Sequence, residues 1–201
     1  MSVRIVPRGR PYPGEQVSGD GWSISRTGQR HRISLIDGLG HGPAAAEATA
    51  TALAILERLP DAAPEAAIHA CHAALRGTRG AAMSVATIDE DAGLLTIAGI
   101  GNIEAVLWRS EKTTRPIALR GIVGRVIPTV RTFTYPLDGP WLLVMHSDGV
   151  SARFELTALQ GFAERDLDAM SVALIDGWGR QTDDASVIVA NGDGLPSSTS
   201  D

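Results

Sequence analysis

Residues 82–109 read AMSVATIDEDAGLLTIAGIGNIEAVLWR, which predicts three consecutive β-strands. Apolar runs at 82–88, 94–100 and 103–109 are separated by an acidic turn, DEDAG, and by Gly101-Asn102. Strands joined by links this short must lie antiparallel to one another. This part of the chain therefore predicts an antiparallel sheet and excludes the alternating strand and helix order of a doubly wound parallel fold.

Outward from this stretch, the chain predicts further strands and helices on both sides. Strand patterns occur at 17–26, 32–37, 130–135, 141–146 and 185–190. Helical patterns occur at 43–59, 64–76, 156–163 and 166–178. We expect residues 1–16 to be a leader with room for one short edge strand, and residues 191–201 to be a disordered tail. The order predicts an α+β layered sandwich in one domain over residues 1–190.

Composition excludes several classes of function. The chain has 201 residues and a formal net charge of −5, without the basic cluster that nucleic-acid binding requires. The single cysteine, Cys71, rules out an intramolecular disulfide. The longest purely apolar run, 141–145, is far below the roughly 20 residues of a membrane span. We therefore expect no membrane association and a cytoplasmic location.

Four acidic sites lie at the edges of predicted strands: Asp20, Asp37, Asp148 and the pair Asp183-Asp184. Carboxylates are hard ligands that suit Mg²⁺ or Mn²⁺. Packed together, they would repel one another unless cations neutralised them. Two divalent ions would hold a bridging water whose hydroxide attacks phosphorus in line. Each Asp-Gly taken alone is more typical of a hairpin turn than of a metal ligand, so this prediction depends on all four sites occurring together.

Four motifs give the sequence a specific resemblance. They are SGDG (18–21), DGLGHGPAA (37–45), HSDGV (146–150) and TDDASV (182–187). In this order they resemble the PPM (metal-dependent) serine/threonine protein phosphatases of the bacterial SpoIIE branch. AGIGNIE (98–104) and GIVG (121–124) are similar to the small stand-alone RsbX type.

The resemblance implies a fold and a set of site residues. The family fold is a four-layer αββα sandwich of two antiparallel sheets flanked by helices, which agrees with the strand order above. Asp37 would bridge both metals, and the carbonyl of Gly38 would bind one of them. Asp20 would serve the site directly or through water, and Asp148 and Asp183 would complete it. Asp184 would cap or brace the turn.

Two questions about the catalytic groups stay open in the sequence. His41 is either a proton donor to the leaving serine oxygen or a residue that orders the turn before the first helix. Related enzymes use an arginine near the N-terminus to hold the substrate phosphate. Arg4, Arg8 and Arg10 are available, but no motif selects one of them.

The resemblance also implies a function. We expect a phosphoserine or phosphothreonine protein phosphatase that uses two Mn²⁺ or Mg²⁺ ions. By analogy with the RsbX type, its partners would be phosphorylated STAS-domain proteins of a stressosome-like module in a bacterial stress response. Two alternatives remain: a catalytically weak phosphatase-fold module that binds STAS proteins, and a small-molecule phosphomonoesterase.

Overall fold

The computed structural model describes residues 2–109, 112–154 and 166–193, which form two β-sheets and three helices. The strands are β1 (Val3–Arg10), β2 (Asp20–Thr27), β3 (Arg30–Gly38), β4 (Ala81–Asp89), β5 (Leu94–Ile100), β6 (Glu104–Arg109), β7 (Lys112–Thr114), β8 (Phe133–Pro136), β9 (Trp141–His146) and β10 (Ala185–Gly192). The helices are α1 (Pro43–Arg58), α2 (Pro64–Ala74) and α3 (Leu167–Trp178).

The two sheets contain five strands each. One has the order β1-β10-β9-β6-β7 and the other the order β2-β3-β4-β5-β8. Every neighbouring pair is antiparallel. Strands β4 and β5 pair as predicted, but β6 does not pair with β5: right after the Gly101-Asn102 turn it crosses to the first sheet, where it pairs with β9 and β7, so the short link did not force β5 and β6 into one sheet. The predicted α+β class and the antiparallel sheets are confirmed.

Three layers of apolar packing hold the sheets and helices together. Ile33, Leu143 and Ile188 belong to the core between the two sheets. A second core packs α1 and α2 on the outer face of the β2–β8 sheet, and a third packs α3 on the outer face of the β1–β7 sheet. The layers therefore run helix, sheet, sheet, helix, as the resemblance implied.

The prediction for residues 1–16 is right in part: the segment contains the edge strand that it allowed for, but that strand is not short and the segment is not a mere leader. Val3–Arg10 is an eight-residue edge strand that pairs along its whole length with β10. Val3 and Ile5 pack against the core between the sheets. The prolines, glycines and arginines of this segment hide the strand pattern, and pairing with a strand almost two hundred positions away supplies what local propensity lacks.

Other boundaries also differ from the prediction. The short strand β7 was not predicted, and β8 begins at Phe133 rather than at residue 130. Strand β10 continues to Gly192, so residues 191 and 192 do not belong to a tail. The predicted helix at 156–163 and residues 194–201 lie outside the described residues. Among the described helices, none has the length and apolarity needed to cross a membrane.

Candidate metal centre

Strand pairing brings the four acidic sites together. Asp20 opens β2 and lies directly opposite Asp37 on β3. Strands β9 and β10 are paired neighbours in the other sheet. Asp148 lies two residues after the end of β9, and Asp183 lies two residues before the start of β10. Each sheet therefore contributes acidic residues from the ends of two adjacent strands. These ends meet at one edge of the sandwich.

Three of these carboxylates line one cavity of about 240 Å³. Asp37, Asp148 and Asp183 form its acidic walls, together with Asn102, Gly40, Leu39 and Ala82. Asp20 does not line the cavity; it is 7% exposed and lies directly across the β2–β3 pair from Asp37, which does line it. The structure thus separates three partly buried carboxylates that line the cavity from a fourth, buried one on the neighbouring strand.

Hydroxyl and amide groups fix two of the carboxylates in place. Ser147 donates its hydroxyl hydrogen to Asp20 Oδ2 at 2.7 Å and accepts the backbone N–H of Ser186 at 3.1 Å. Asn102 donates from Nδ2 to Asp148 Oδ2 at 2.6 Å. Neither contact is evident from the sequence, because Ser147 and Asn102 look like ordinary turn residues within their motifs. In the sequence, the only signals were that Ser147 lies next to Asp148 and that Asn102 follows Gly101 in a tight turn.

Burial and mutual repulsion raise the pKa values of the carboxyl groups. Burial raises the pKa of Asp37 to about 8, and repulsion from Asp20, Asp148, Asp183 and Asp184 adds to it. Burial also raises the pKa of Asp20 to about 7, against the lowering effect of the Ser147 hydrogen bond. The pKa of Asp183 is raised by burial and by the charge of Asp148. Such clusters of perturbed carboxyl groups are typical of functional sites.

Two glycines after these aspartates are required for packing. A Cβ at Gly38 would lie 2.3 Å from the carbonyl oxygen of Ala45, so only glycine lets α1 approach β3 this closely. A Cβ at Gly149 would lie 1.7 Å from the carbonyl oxygen of Asp184. The Asp-Gly pairs at these positions are therefore not hairpin turns: the glycine permits close backbone packing beside the aspartate.

The segment after β1 also contacts the site. Arg10 donates to the carbonyl of Asp183 at 3.2 Å, and the backbone N–H of Tyr12 donates to Asp184 Oδ1 at 2.9 Å. Arg8 binds Ser171 on α3 and Arg4 binds Asn191 on β10. Each of the three N-terminal arginines considered for phosphate binding thus has its guanidinium engaged by protein groups.

His41 lies at the rim of the site. Its side chain is half exposed, and Nδ1 lies 3.1 Å from Glu15 Oε1. The two residues before it, Leu39 and Gly40, line the acidic cavity, so the loop that carries His41 borders the site. The contact with Glu15 links the loop that carries His41 to the N-terminal segment. The sequence alone does not predict this contact.

The donor set fits hard divalent cations. The atoms at the site are carboxylate and carbonyl oxygens, which Mg²⁺ and Mn²⁺ prefer. Asp184 Oδ2 is buried without a hydrogen-bond partner in the described residues. In those same residues, no three His, Cys, Asp or Glu side chains form a ready-made cage. Any ion here would therefore need backbone carbonyls and water among its ligands, as is usual for Mg²⁺.

Comparison with known proteins identifies the family. A family model described as Stage II sporulation protein E (SpoIIE) matches residues 27–192. The chain belongs to the SpoIIE family. This confirms the resemblance on which the sequence analysis drew. The match covers Asp37, Asp148 and Asp183, while Asp20 and the N-terminal strand precede it.

Individual relatives of this SpoIIE family chain share its fold. The phosphoserine phosphatase RsbX of Bacillus subtilis is 24% identical over 139 residues, 69% of this chain and 70% of RsbX. A structure described as the bacterial stressosome, a modular system adapted to control secondary messenger signalling, contains a 29% identical chain. The TM-score there is 0.89, with 94% of this chain and 100% of the other covered. RsbX in complex with magnesium superposes with a TM-score of 0.82 at 20% identity, over 94% of each chain.

Proposed function

We propose that this protein is a metal-dependent phosphatase acting on phosphoserine or phosphothreonine in protein substrates. Asp37, the Gly38 carbonyl, Asp148 and Asp183 would hold two Mg²⁺ or Mn²⁺ ions, with Asp20 serving the site directly or through water. The observation that carries this proposal is the convergence of strand-end aspartates from both sheets on one cavity. The name of the relative RsbX, a phosphoserine phosphatase, supports the same activity.

Divalent cations at this site would supply an activated water and positive charge for the phosphoryl oxygens. The protein's own groups prepare the site for that chemistry. Asn102 orients the Asp148 carboxylate, and Ser147 holds one oxygen of Asp20. The four carboxylates by themselves would repel a phosphate dianion. Substrate binding should therefore depend on the cations, and the proposal predicts no turnover without them.

For the substrate, we propose phosphorylated STAS-domain proteins of a stressosome-like module. Support comes from the kinship with RsbX and from the 29% identical chain in a structure described as the bacterial stressosome. The proposed mechanism is in-line attack of water on phosphorus. The proposed site residues also include His41 as the group that protonates the leaving serine oxygen.

Phosphate release by the purified protein tests the activity. We expect release from a phosphoserine protein with Mn²⁺ or Mg²⁺ present, and none after EDTA treatment. Asp37→Asn and Asp148→Asn should each lower turnover by at least about a hundredfold, since each removes a ligand charge. Asp176→Asn changes an exposed aspartate on α3 and should behave like the wild type. Full activity in either site variant would refute the two-metal assignment.

Substrate range separates the proposal from its alternatives. A phosphatase of proteins should prefer a phosphorylated STAS-domain protein to small phosphate esters and nucleotides in kcat/KM. Tight binding of that protein without metal-dependent release would instead indicate a non-catalytic binding module. Equal or greater kcat/KM on small phosphate esters would indicate a phosphomonoesterase.

A further inference from the structure

Residues 10–15, here called the N-terminal crossing segment, connect the two loops of the site. At one end Arg10 donates to the carbonyls of Asp183 and Arg180. The backbone N–H of Tyr12 donates to Asp184 Oδ1 at 2.9 Å. The segment is therefore fastened to the turn that carries Asp183, one of the proposed ligands.

The other end of the crossing segment holds His41. The ring of Tyr12 stacks on the imidazole, with centroids 4.5 Å apart and planes inclined by 17°. Glu15 Oε1 lies 3.1 Å from His41 Nδ1. The backbone of Glu15 is held in a turn, because its N–H donates to the carbonyl of Tyr12 at 2.9 Å. A Cβ at Gly42 would lie 3.0 Å from Glu15 Oε1, so the carboxylate rests directly on the loop that carries His41.

These contacts fix which imidazole nitrogen exchanges protons. An ionised carboxylate only accepts hydrogen bonds, so Nδ1 of His41 carries a hydrogen when it faces Glu15. The Tyr12 ring covers one face of the imidazole and restrains its rotation. Nε2 is then the nitrogen left to exchange a proton with a reacting group. Leu39 and Gly40, which immediately precede His41, line the cavity, so the loop that carries the imidazole borders the site.

We propose that Glu15 and Tyr12 are positioning residues that hold His41 with Nε2 ready to protonate the departing serine oxygen. The inference rests on the proposed phosphatase function. In the step concerned, an oxygen–phosphorus bond forms from water and the bond from phosphorus to the serine oxygen breaks. The proton from Nε2 goes to that oxygen, the proton lost by the water goes to solvent, and His41 regains a proton from solvent.

Two substrates with different leaving groups test this inference. A serine alkoxide needs a proton as it leaves, whereas p-nitrophenolate leaves readily without one. Glu15→Ala and Tyr12→Leu should lower kcat on a phosphoserine protein by about tenfold, and His41→Gln by about a hundredfold. On p-nitrophenyl phosphate the losses should be several-fold smaller, so the ratio of the two activities changes. Tyr12→Phe, which keeps the stacked ring, should restore the wild-type ratio.

A matched control exists on α2. Glu65 faces His69 at 3.8 Å, and both side chains are half exposed. Glu65→Ala removes a similar Glu–His contact outside the site and should leave the activity ratio unchanged. Equal losses on both substrates in the Glu15 and Tyr12 variants would overturn the inference alone. Absence of wild-type turnover on both substrates would count against the proposed function as well.

The tautomer of His41 gives a readout that does not depend on turnover. Nitrogen-15 NMR of the wild type should show His41 with hydrogen on Nδ1 when the ring is neutral. Glu15→Ala should shift the population toward the Nε2–H form, and Glu65→Ala should leave the His41 signals in place. A wild-type His41 with hydrogen only on Nε2 would contradict the assignment.

Discussion

The carboxyl groups of the candidate centre repel one another, and this repulsion lowers the stability of the folded protein. Asp20 and Asp37 are direct cross-strand neighbours, and like charges in that arrangement destabilise a sheet. Burial, more than this repulsion, raises the pKa of Asp20 to about 7 and that of Asp37 to about 8. Under the proposed function, bound cations would offset both effects.

The raised pKa values predict how the free energy of unfolding depends on pH when metal is removed with EDTA. The pKa of Asp37 is about 8 in the folded protein, against an ordinary value of 3.8. The folded state therefore binds more protons than the unfolded state between about pH 4 and 8, and its stability falls as pH rises through that window. We expect the metal-free protein to lose stability between pH 5.5 and 8.5 in urea denaturation. Stability that rises with pH across this range in EDTA would contradict the assignment.

Asp37→Asn isolates the contribution of one carboxyl group. With EDTA present, the variant should be more stable than the wild type by about 1 to 3 kcal/mol at pH 8.5. The difference should shrink toward pH 5.5, where the wild-type carboxyl group is protonated. Urea denaturation at both pH values measures it. The gain in stability would accompany the loss of turnover, and a destabilised variant would show that Asp37 is structural.

At the scale of elements, the turns that carry the aspartates depend on close backbone contact. The turn after β9 packs against the backbone that leads into β10, so that Gly149 meets the carbonyl of Asp184. This contact sets where Asp148 lies relative to Asp183. The turn after β9 therefore adds to the strand pairing in setting the geometry of the site.

Two glycine substitutions test this role of the turn. Gly149→Ala should destabilise the protein by about 1 to 3 kcal/mol and lower turnover, because its Cβ would overlap backbone that cannot move aside. Gly177→Ala on α3 meets no atom within 4 Å and should stabilise the protein by about 0.5 to 1 kcal/mol. Thermal unfolding of both variants measures these changes in stability, and phosphate release measures the change in turnover. A Gly149→Ala protein with wild-type stability and activity would show that the turn tolerates displacement.

At the scale of the whole molecule, the candidate centre joins the two sheets. Asp20 and Asp37 belong to the β2–β8 sheet, while Asp148 and Asp183 lie at strand ends of the β1–β7 sheet. A cation held by both groups would link the sheets at their shared edge. Cation binding should therefore stabilise the fold as a whole, since the unfolded chain has no such arrangement.

Thermal unfolding with added Mn²⁺ checks this link. At a concentration about a hundredfold above Kd, the gain is about 2.7 kcal/mol, and each kcal/mol raises Tm by about 2 to 4 °C in a domain of this size. The shift should be larger at pH 8 than at pH 6, because protons compete for the Asp20 and Asp37 oxygens at the lower pH. Asp148→Asn should lose most of the shift and Asp176→Asn should keep it. An equal shift in all three proteins would place the cation elsewhere.

The sequence by itself determined the antiparallel class, most strand and helix positions, and the acidic positions at strand ends. These features are local: short links favour antiparallel pairing, as between β4 and β5, and apolar periodicity marks most of the strands. The DGLGHG and HSDGV motifs also needed no coordinates to indicate the family, which the match over residues 27–192 confirms.

Only the tertiary structure decided which side chains meet. Strand β1 pairs along its whole length with β10, whereas the residues of β1 by themselves indicate at most a short edge strand. Ser147 reaches Asp20 across 127 positions, and Glu15 reaches His41 across 26. Contacts of this kind depend on sheet order and on close backbone packing, which no local pattern encodes. For that reason the acidic positions were predictable, while the residues that orient them were not.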